Sequence, residues 1–275
     1  MLLRTPMILP LLPSGAALKL ARSDGVLGGR IWPAAVALCE YLVSVKQTHA
    51  LECVELGSGT GAVGLFAAAM GYAVTVTEHR PALTSARPPV TAAADGTPED
   101  LDMERSDQLL SLLQTNVDEN LHLFEHLPRV LELDWTDTHQ VQHVAASSES
   151  HDKGFDLILA SDVTYISQFH QPLADTIACL LHQDISRDSC DSRAERATMR
   201  SKCLLSHQER LLNLRGSDSQ LDGFEQALMK AGLSSVCKEV YSFLEGSTTH
   251  QVSILEIQHK QVCRPGELRS GLWVP

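Results

Sequence analysis

Three alternate glycines, Gly57, Gly59 and Gly61, stand in the segment Val-Glu-Leu-Gly-Ser-Gly-Thr-Gly at residues 54–61. An apolar run precedes them and a helix-forming run follows, so the pattern predicts a strand, a tight turn and a helix. Because glycine has no Cβ, a ligand can approach the backbone of such a turn closely. The segment therefore predicts a loop that binds a nucleotide-type cofactor.

The charge beside the loop bears on which cofactor it binds. Gly57, Gly59 and Ala62 also satisfy the dinucleotide pattern, whose last position tolerates alanine. A pyrophosphate favours helix N-terminal amides without a nearby carboxylate, yet Glu55 precedes the first glycine by two residues. That acid favours a cationic ligand such as S-adenosylmethionine, unless Glu55 is only a solvated carboxylate at a strand end. The glycines alone leave NAD and S-adenosylmethionine both open.

A second acid, Glu78, ends the alternating segment Ala73 to Glu78, which is predicted to be the next strand. Its position, about twenty residues beyond the loop, suits binding of a ribose diol. Both candidate cofactors contain such a ribose, so Glu78 supports the pocket without separating them. The alternative role for Glu78 is that of an acid at a helix N-terminus.

A third polar group, Ser161-Asp162-Val163-Thr164-Tyr165, follows the apolar run Phe155 to Ala160. Continuous apolar runs are typical of central parallel strands. Parallel strands present their carboxyl ends at one edge, so Asp162 and Tyr165 are expected beside the same crevice as the glycine loop. Asp162 could instead cap the following helix.

The elements that must position these groups follow from periodicity and from turn residues. Five βα units are followed by two late strands, Val236 to Phe243 and Val252 to Ile257, whose short connection requires antiparallel pairing. The pattern predicts an α/β fold with a Rossmann-like seven-stranded sheet. Too few residues remain for the second domain of a dinucleotide enzyme. The other predicted strands are Leu51 to Leu56, Ala73 to Glu78, Val130 to Leu133, Phe155 to Ala160 and Lys202 to Ser206; the predicted helices are Pro33 to Val45, Ala62 to Met70, Leu109 to Leu121, Gln171 to Gln183 and Leu221 to Ala231.

The chain of 275 residues is predicted to form one domain, residues 25–257, between an N-terminal extension, 1–24, and a C-terminal tail, 258–275. Polar insertions are expected at 86–107 and 184–200. The net charge of −12 argues against a nucleic-acid partner, since nucleic-acid binding needs a basic face. Seven scattered cysteines without a Cys-x-x-Cys pair are typical of reduced intracellular thiols.

These motifs together resemble the seven-β-strand protein-lysine methyltransferases of methyltransferase family 16, most closely the branch that modifies the valosin-containing AAA ATPase. The resemblance covers about residues 25–257. It rests on four motifs in order: Trp32 in Ile-Trp-Pro-Ala-Ala, Glu55 to Gly64, Leu133-Asp134-Trp135, and Asp162-x-x-Tyr165.

The resemblance implies a class I methyltransferase sheet that binds S-adenosylmethionine. Asp162 and Tyr165 would face the substrate and position its amine. Three features depart from the family pattern: Glu78 replaces the usual aspartate, the two insertions have no counterpart, and the segment Ser206 to Arg210 matches only weakly and receives no role. The implied cofactor-binding residues are Trp32, Glu55, Gly57, Ser58, Gly59, Gly61, Glu78, Trp135 and Ser161.

The expected activity is protein-lysine N-methylation, without a metal ion, because the histidine pairs with i, i+4 spacing lack a third ligand. The expected partner is a protein that carries a target lysine, such as an AAA ATPase or a chaperone-type protein. A monomer in the cytoplasm, and also in the nucleus, is expected, with neither nucleic acid nor membrane as a partner. Two alternatives stay open: a methyltransferase acting on a small molecule or another protein side chain, and a non-catalytic cofactor-binding scaffold.

Overall fold

A computed structural model of the chain describes residues 9–23, 27–45, 51–78, 98–148, 154–181, 201–210, 218–245 and 248–260. The predicted insertion at 184–200, the first part of the insertion at 86–107 and most of the predicted tail lie outside these residues. Within them, no helix is both long enough and apolar enough to cross a membrane.

A seven-stranded sheet forms the centre of the molecule. Its strands are β1 (Glu52–Leu56), β2 (Ala73–Glu78), β3 (Arg129–Glu132), β4 (Leu157–Ser161), β5 (Lys202–Gln208), β6 (Leu233–Glu245) and β7 (Thr248–His259). Their order across the sheet is β3-β2-β1-β4-β5-β7-β6. The first five strands pair in parallel, whereas β7 is antiparallel to both β5 and β6. The predicted α/β fold, with its antiparallel C-terminal hairpin, is confirmed.

Helices cover both faces of the sheet. They are α1 (Pro33–Ser44), α2 (Ala62–Ala69), α3 (Pro98–Glu119), α4 (Thr138–Ala146), α5 (His170–Leu180) and α6 (Ser219–Lys230). Helices α1, α2 and α3 contribute to one apolar core, and α4, α5 and α6 contribute to the core on the opposite face. Strand side chains alternate between the two: Cys53 belongs to the first core, while Val54 and Leu56 belong to the second.

Two helices differ from the sequence-based expectation. Helix α3 begins at Pro98, so the predicted insertion is helical from that residue onward. Pro98 suits a first helical turn, but the charged residues after it lack the apolar periodicity on which the prediction relied. Helix α4 was not predicted at all. It buries only Val141 and Val144, and Asp137 starts it by accepting hydrogen bonds from two backbone amides.

The N-terminal segment 9–23, predicted to be an extension, lies against α3. The side chain of Asn120 accepts a hydrogen bond from the amide of Lys19 and donates one to its carbonyl, at 2.9 and 2.7 Å. Asn116 does the same with Ala21, at 2.7 and 3.2 Å. Both asparagines are fully buried. The segment is therefore held on the domain by side-chain amides that replace a strand partner.

Candidate active site

The glycine loop connects β1 to α2, and all three glycines adopt left-handed backbone, with φ of 64°, 54° and 78° at Gly57, Gly59 and Gly61. A Cβ on Gly59 would lie 2.5 Å from the carbonyl oxygen of Gly28, and one on Gly61 would lie 2.5 Å from Cδ1 of Leu113. Glycine is thus required at these two positions because neighbouring protein atoms approach the loop. Close packing within the protein, and not ligand approach alone, therefore explains these glycines.

Glu78 ends β2 beside the loop, and its Oε2 accepts a hydrogen bond from the amide of Gly59 at 2.6 Å. Ser58 joins the two strand ends further: its amide donates to the carbonyl of Thr77 at 2.9 Å, and its Oγ accepts from the amide of Thr77 at 3.1 Å. Both Glu78 and Ser58 are buried. The acid predicted to bind a ribose therefore also fixes the shape of the glycine loop.

Glu55 lies on the other side of the loop. Only 2% of the residue is exposed, and its Oε2 occupies the space beside Gly64, where a Cβ would lie 2.5 Å away. Burial raises the pKa of this carboxyl to about 8, although the Ser58 hydroxyl and the amides of Gly64 and Val63 act to lower it. Strand alternation explains the placement, because Glu55 shares its face of β1 with Cys53, against the first core. Glu55 is therefore not brought to the open crevice, and its raised pKa reduces its negative charge at neutral pH.

Two half-buried tryptophans lie near the carboxyl ends of the strands. Trp135, after β3, lies over the first glycine, because a Cβ on Gly57 would be 3.4 Å from its Cζ2. Trp32 precedes α1, and the Arg210 guanidinium carbon lies 5.7 Å from the centroid of its ring. Aromatic faces at this edge can stack on a base and attract a cation.

Asp162 follows β4 directly and has a φ of 57°, which is unusual for a residue other than glycine. Its amide donates to the carbonyl of Ser206 at 2.9 Å, and Ser161 pairs with Ser206 in the strand register. Tyr165 is 40% exposed; the burial of the rest of its surface, together with the charges of Glu78 and Asp162, raises the pKa of its phenol to about 12. The phenol therefore stays protonated at neutral pH.

A buried polar network supports this turn from behind. Thr164 Oγ1 lies 2.7 Å from Nδ1 of His207, and Nε2 of His207 lies 3.2 Å from Oδ2 of Asp218. On the other side, Nε2 of His170 lies 2.8 Å from the carbonyl of Thr164. Thr164 has no exposed surface, so this hydroxyl-imidazole-carboxylate series positions the turn rather than attacking a substrate.

Arg210 is the functional candidate that the sequence reasoning missed. Its guanidinium donates to Oδ1 of Asp162 at 2.7 Å and also donates to Oδ2 of the same carboxylate. The backbone amide of Arg210 donates to Oδ2 of Asp218 at 3.1 Å. The available signal was strand order: β5 lies beside β4, so polar residues that follow the two strands meet at one edge.

The loop is also linked to the N-terminal segment. Nδ2 of Asn116, which binds the carbonyl of Ala21, donates a second hydrogen bond to the carbonyl of Thr60 at 2.8 Å. Asn116 thus joins α3, the segment 9–23 and the glycine loop. Among the described residues, no group of three or more His, Cys, Asp or Glu side chains is arranged to hold a metal ion.

Relatives of known name match part of this chain. The protein N-lysine methyltransferase METTL21A of Danio rerio is 30% identical over 169 residues, 60% of this chain and 62% of its own length. The protein-lysine methyltransferase METTL21E of Bos taurus is 30% identical over 59% of this chain and 47% of its own. The protein-lysine N-methyltransferase EFM6 of Saccharomyces cerevisiae is 29% identical, with coverages of 60% and 64%. The chain spans less than two thirds of each of these relatives.

Solved structures of other proteins match this chain at lower identity. Magnesium protoporphyrin IX methyltransferase from Synechocystis PCC 6803, with bound SAM, is 13% identical and gives a TM-score of 0.46, covering 81% of this chain and 77% of its own. TYW2 of Pyrococcus horikoshii, in complex with MeSAdo, is 13% identical and gives a TM-score of 0.48, with coverages of 90% and 70%.

The sequence profile of one family matches more than half of the chain, over residues 17–103 and 89–196. The matched part includes residues 17–23 of the N-terminal segment, the glycine loop and the turn from Ser161 to Tyr165. Because the profile of the lysine methyltransferase family matches more than half of the chain, including the residues of this site, this chain belongs to the lysine methyltransferase family.

Proposed function

We propose that this chain is a protein-lysine N-methyltransferase that uses S-adenosylmethionine. The observation that carries the proposal is the meeting of two groups at adjacent strand ends: the glycine loop after β1 and the Asp162 turn after β4. The names of its relatives as protein-lysine methyltransferases support the same activity.

The chemistry of the site favours S-adenosylmethionine over a dinucleotide. The first amides of α2, which a pyrophosphate would need, lie against the buried carboxyl of Glu55. Glu78, the acid at the end of β2, suits a ribose. The half-buried face of Trp135 suits an adenine and a positive charge. The residues proposed to hold this cofactor are Trp32, Gly57, Ser58, Gly59, Gly61, Glu78, Trp135 and Ser161, with Glu55 supporting the loop from beneath.

The bound cofactor would supply an electrophilic methyl group on a sulfonium. A lysine amine must be neutral to attack it, whereas free lysine has a pKa of about 10.4. We infer that Asp162 and Tyr165 orient the amine through hydrogen bonds and that its proton leaves to water. Tyr165 acts as a neutral phenol, because its raised pKa makes it a poor source of an anionic base at neutral pH. Alignment of the amine is then the main source of rate acceleration.

The proposed partner is a folded protein that carries the target lysine, with an AAA ATPase or a chaperone-type protein as the first candidate class. The net charge of −12 favours a basic, lysine-bearing surface. A monomer in the cytoplasm and nucleus is proposed; the free buried thiols of Cys39, Cys53 and Cys203 agree with a reducing compartment.

Two measurements test the proposal. Calorimetry with S-adenosylmethionine should show a single binding site. Transfer of a labelled methyl group into cell extract, followed by mass spectrometry of labelled proteins, should place the label on lysine Nζ. Label on a small molecule or on another side chain would replace the proposed substrate class, and binding without any labelled product would identify a cofactor-binding scaffold.

A further inference from the structure

One side chain joins the two halves of the candidate site. The guanidinium of Arg210 binds both carboxylate oxygens of Asp162 and lies over the ring of Trp32, 5.7 Å from its centroid. Asp162 is on the side proposed to face the substrate, and Trp32 is on the side proposed to hold the cofactor. Arg210 therefore contacts both sides of the crevice.

Both partners of this ion pair are held in place by other groups. The side chain of Asp162 is only 5% exposed, and its amide is bound to the carbonyl of Ser206. The amide of Arg210 binds Asp218, which also accepts from His207 and from the first amides of α6. A two-point contact between preorganised groups differs from a mobile surface ion pair, which contributes little.

The charged and titratable groups near Asp162 come from several elements. Burial raises the pKa of its carboxyl, and the hydrogen bonds and charge of Arg210, with a smaller contribution from His207, oppose that rise. Arg210 is the main cation acting on Asp162. The groups that act on this pair are His207 from β5, Tyr165 from the turn after β4 and Asp218 at the start of α6; Glu78, at the end of β2, acts on Tyr165.

The charge balance of the pair has a consequence for an amine substrate. A buried carboxylate without a cation partner would stabilise a lysine as its ammonium form, which cannot accept a methyl group. Two of the lone-pair sites of Asp162 are taken by Arg210, and a carboxylate has about four, so the remaining sites can still accept from an amine N–H. The Arg210 cation at the same place disfavours a second positive charge.

Resting on the proposed function, we propose that Arg210 is a positioning residue that keeps Asp162 ionised and charge-balanced, so that the target lysine is held as a neutral amine. Arg210 acts on Asp162, and Asp162 in turn binds the amine. Because Arg210 neutralises the negative charge of Asp162, the site does not attract the ammonium form of the lysine, and the neutral, reactive amine is favoured.

The test compares Arg210→Gln and Arg210→Lys with the wild-type full chain, using S-adenosylmethionine and the protein that the cell-extract experiment identifies as methylated. In Arg210→Gln, the acid limb of the pH profile of kcat should shift to higher pH by about one unit. As a result kcat at pH 7 should fall about tenfold, while KM does not rise. Arg210→Lys keeps the charge and should restore the position of the acid limb. Superimposable profiles, or a loss of rate that is equal at every pH, would overturn the proposal.

A matched control and a measurement without turnover complete the test. Arg129→Gln removes another guanidinium, which lies 3.6 Å from Glu52 on β1, and should leave the acid limb unmoved.

The Asp162 carboxyl, assigned by carbon NMR with Asp162→Asn, should titrate at higher pH in folded Arg210→Gln than in wild type. An unchanged midpoint overturns the proposal even if the wild-type protein transfers no methyl group, a result that would separately reject the proposed function.

Discussion

The carboxylate of Glu78 accepts a hydrogen bond from the backbone amide of Gly59 at 2.6 Å, across the carboxyl ends of adjacent strands β2 and β1. A residue proposed to bind the cofactor ribose thus also holds the cofactor loop in its left-handed turn. Binding and loop shape are therefore linked at one side chain.

Replacing Glu78 with glutamine should weaken S-adenosylmethionine binding about tenfold, because charged acceptors form hydrogen bonds roughly twice as strong as neutral ones. Calorimetry measures the effect. Glu132→Gln is the matched control, since Glu132 lies opposite Glu78 in the register of β3 but is exposed. Equal affinities for the Glu78→Gln variant and the wild type would remove Glu78 from the site.

Gly59→Ala should destabilise the fold by about 3 kcal/mol or more, since it combines left-handed backbone with a Cβ placed 2.5 Å from the Gly28 carbonyl. Gly232→Ala is the control, because Gly232 has a φ of 76° but no atom within 4 Å of an added Cβ. Its cost should be only about 1–2 kcal/mol, from backbone conformation alone. Urea unfolding measures both values; similar losses would show that the contact with Gly28 contributes nothing.

Asn116→Asp should lower the free energy of unfolding by about 2–4 kcal/mol, because the amide that donates to the carbonyls of Ala21 and Thr60 becomes a carboxyl. Hydrogen exchange should speed up in both the segment 9–23 and the glycine loop. Gln114→Glu makes the same chemical change at an exposed position of α3 and should alter stability by less than about 0.5 kcal/mol. Faster exchange in only one of the two segments would contradict the link through Asn116.

Glu55 should make stability depend on pH. Its pKa rises from an ordinary value of 4.5 to about 8 in the folded protein, so between these pH values the folded state holds a proton that the unfolded chain has lost. Stability from this group therefore falls as pH increases through that window and levels off above it.

Glu55→Gln cannot ionise and should lack this decline. In urea unfolding from pH 5 to 9, the free energy of unfolding of the variant relative to that of the wild type should increase by up to about 1.4 kcal/mol per pH unit. The exposed Glu132→Gln variant again serves as the control. A difference between Glu55→Gln and wild type that is constant across this range would show that Glu55 ionises normally.

The glycine loop, the acid at the end of β2 and the Asp162 turn could be predicted from sequence because strand length, alternation and glycine spacing are local signals. The burial of Glu55 under α2 could not be predicted as readily, since its face of β1 depends on the register of the whole strand. The roles of Arg210 and Asn116 depend on contacts between residues 48 and 95 positions apart. Helix α4 was not predicted, because its short apolar face has too few residues to show the periodicity of a helix.

The most direct test of the central claim compares methyl transfer by wild type and Asp162→Asn. Both proteins receive labelled S-adenosylmethionine and the same cell extract, and mass spectrometry maps the labelled residue. Wild type should label lysine Nζ, whereas the variant should bind the cofactor within about threefold of wild type and transfer at least about a hundredfold more slowly, from lost alignment of the amine. Lysine labelling by Asp162→Asn at the wild-type rate, or wild-type label on any group other than lysine, would contradict the account.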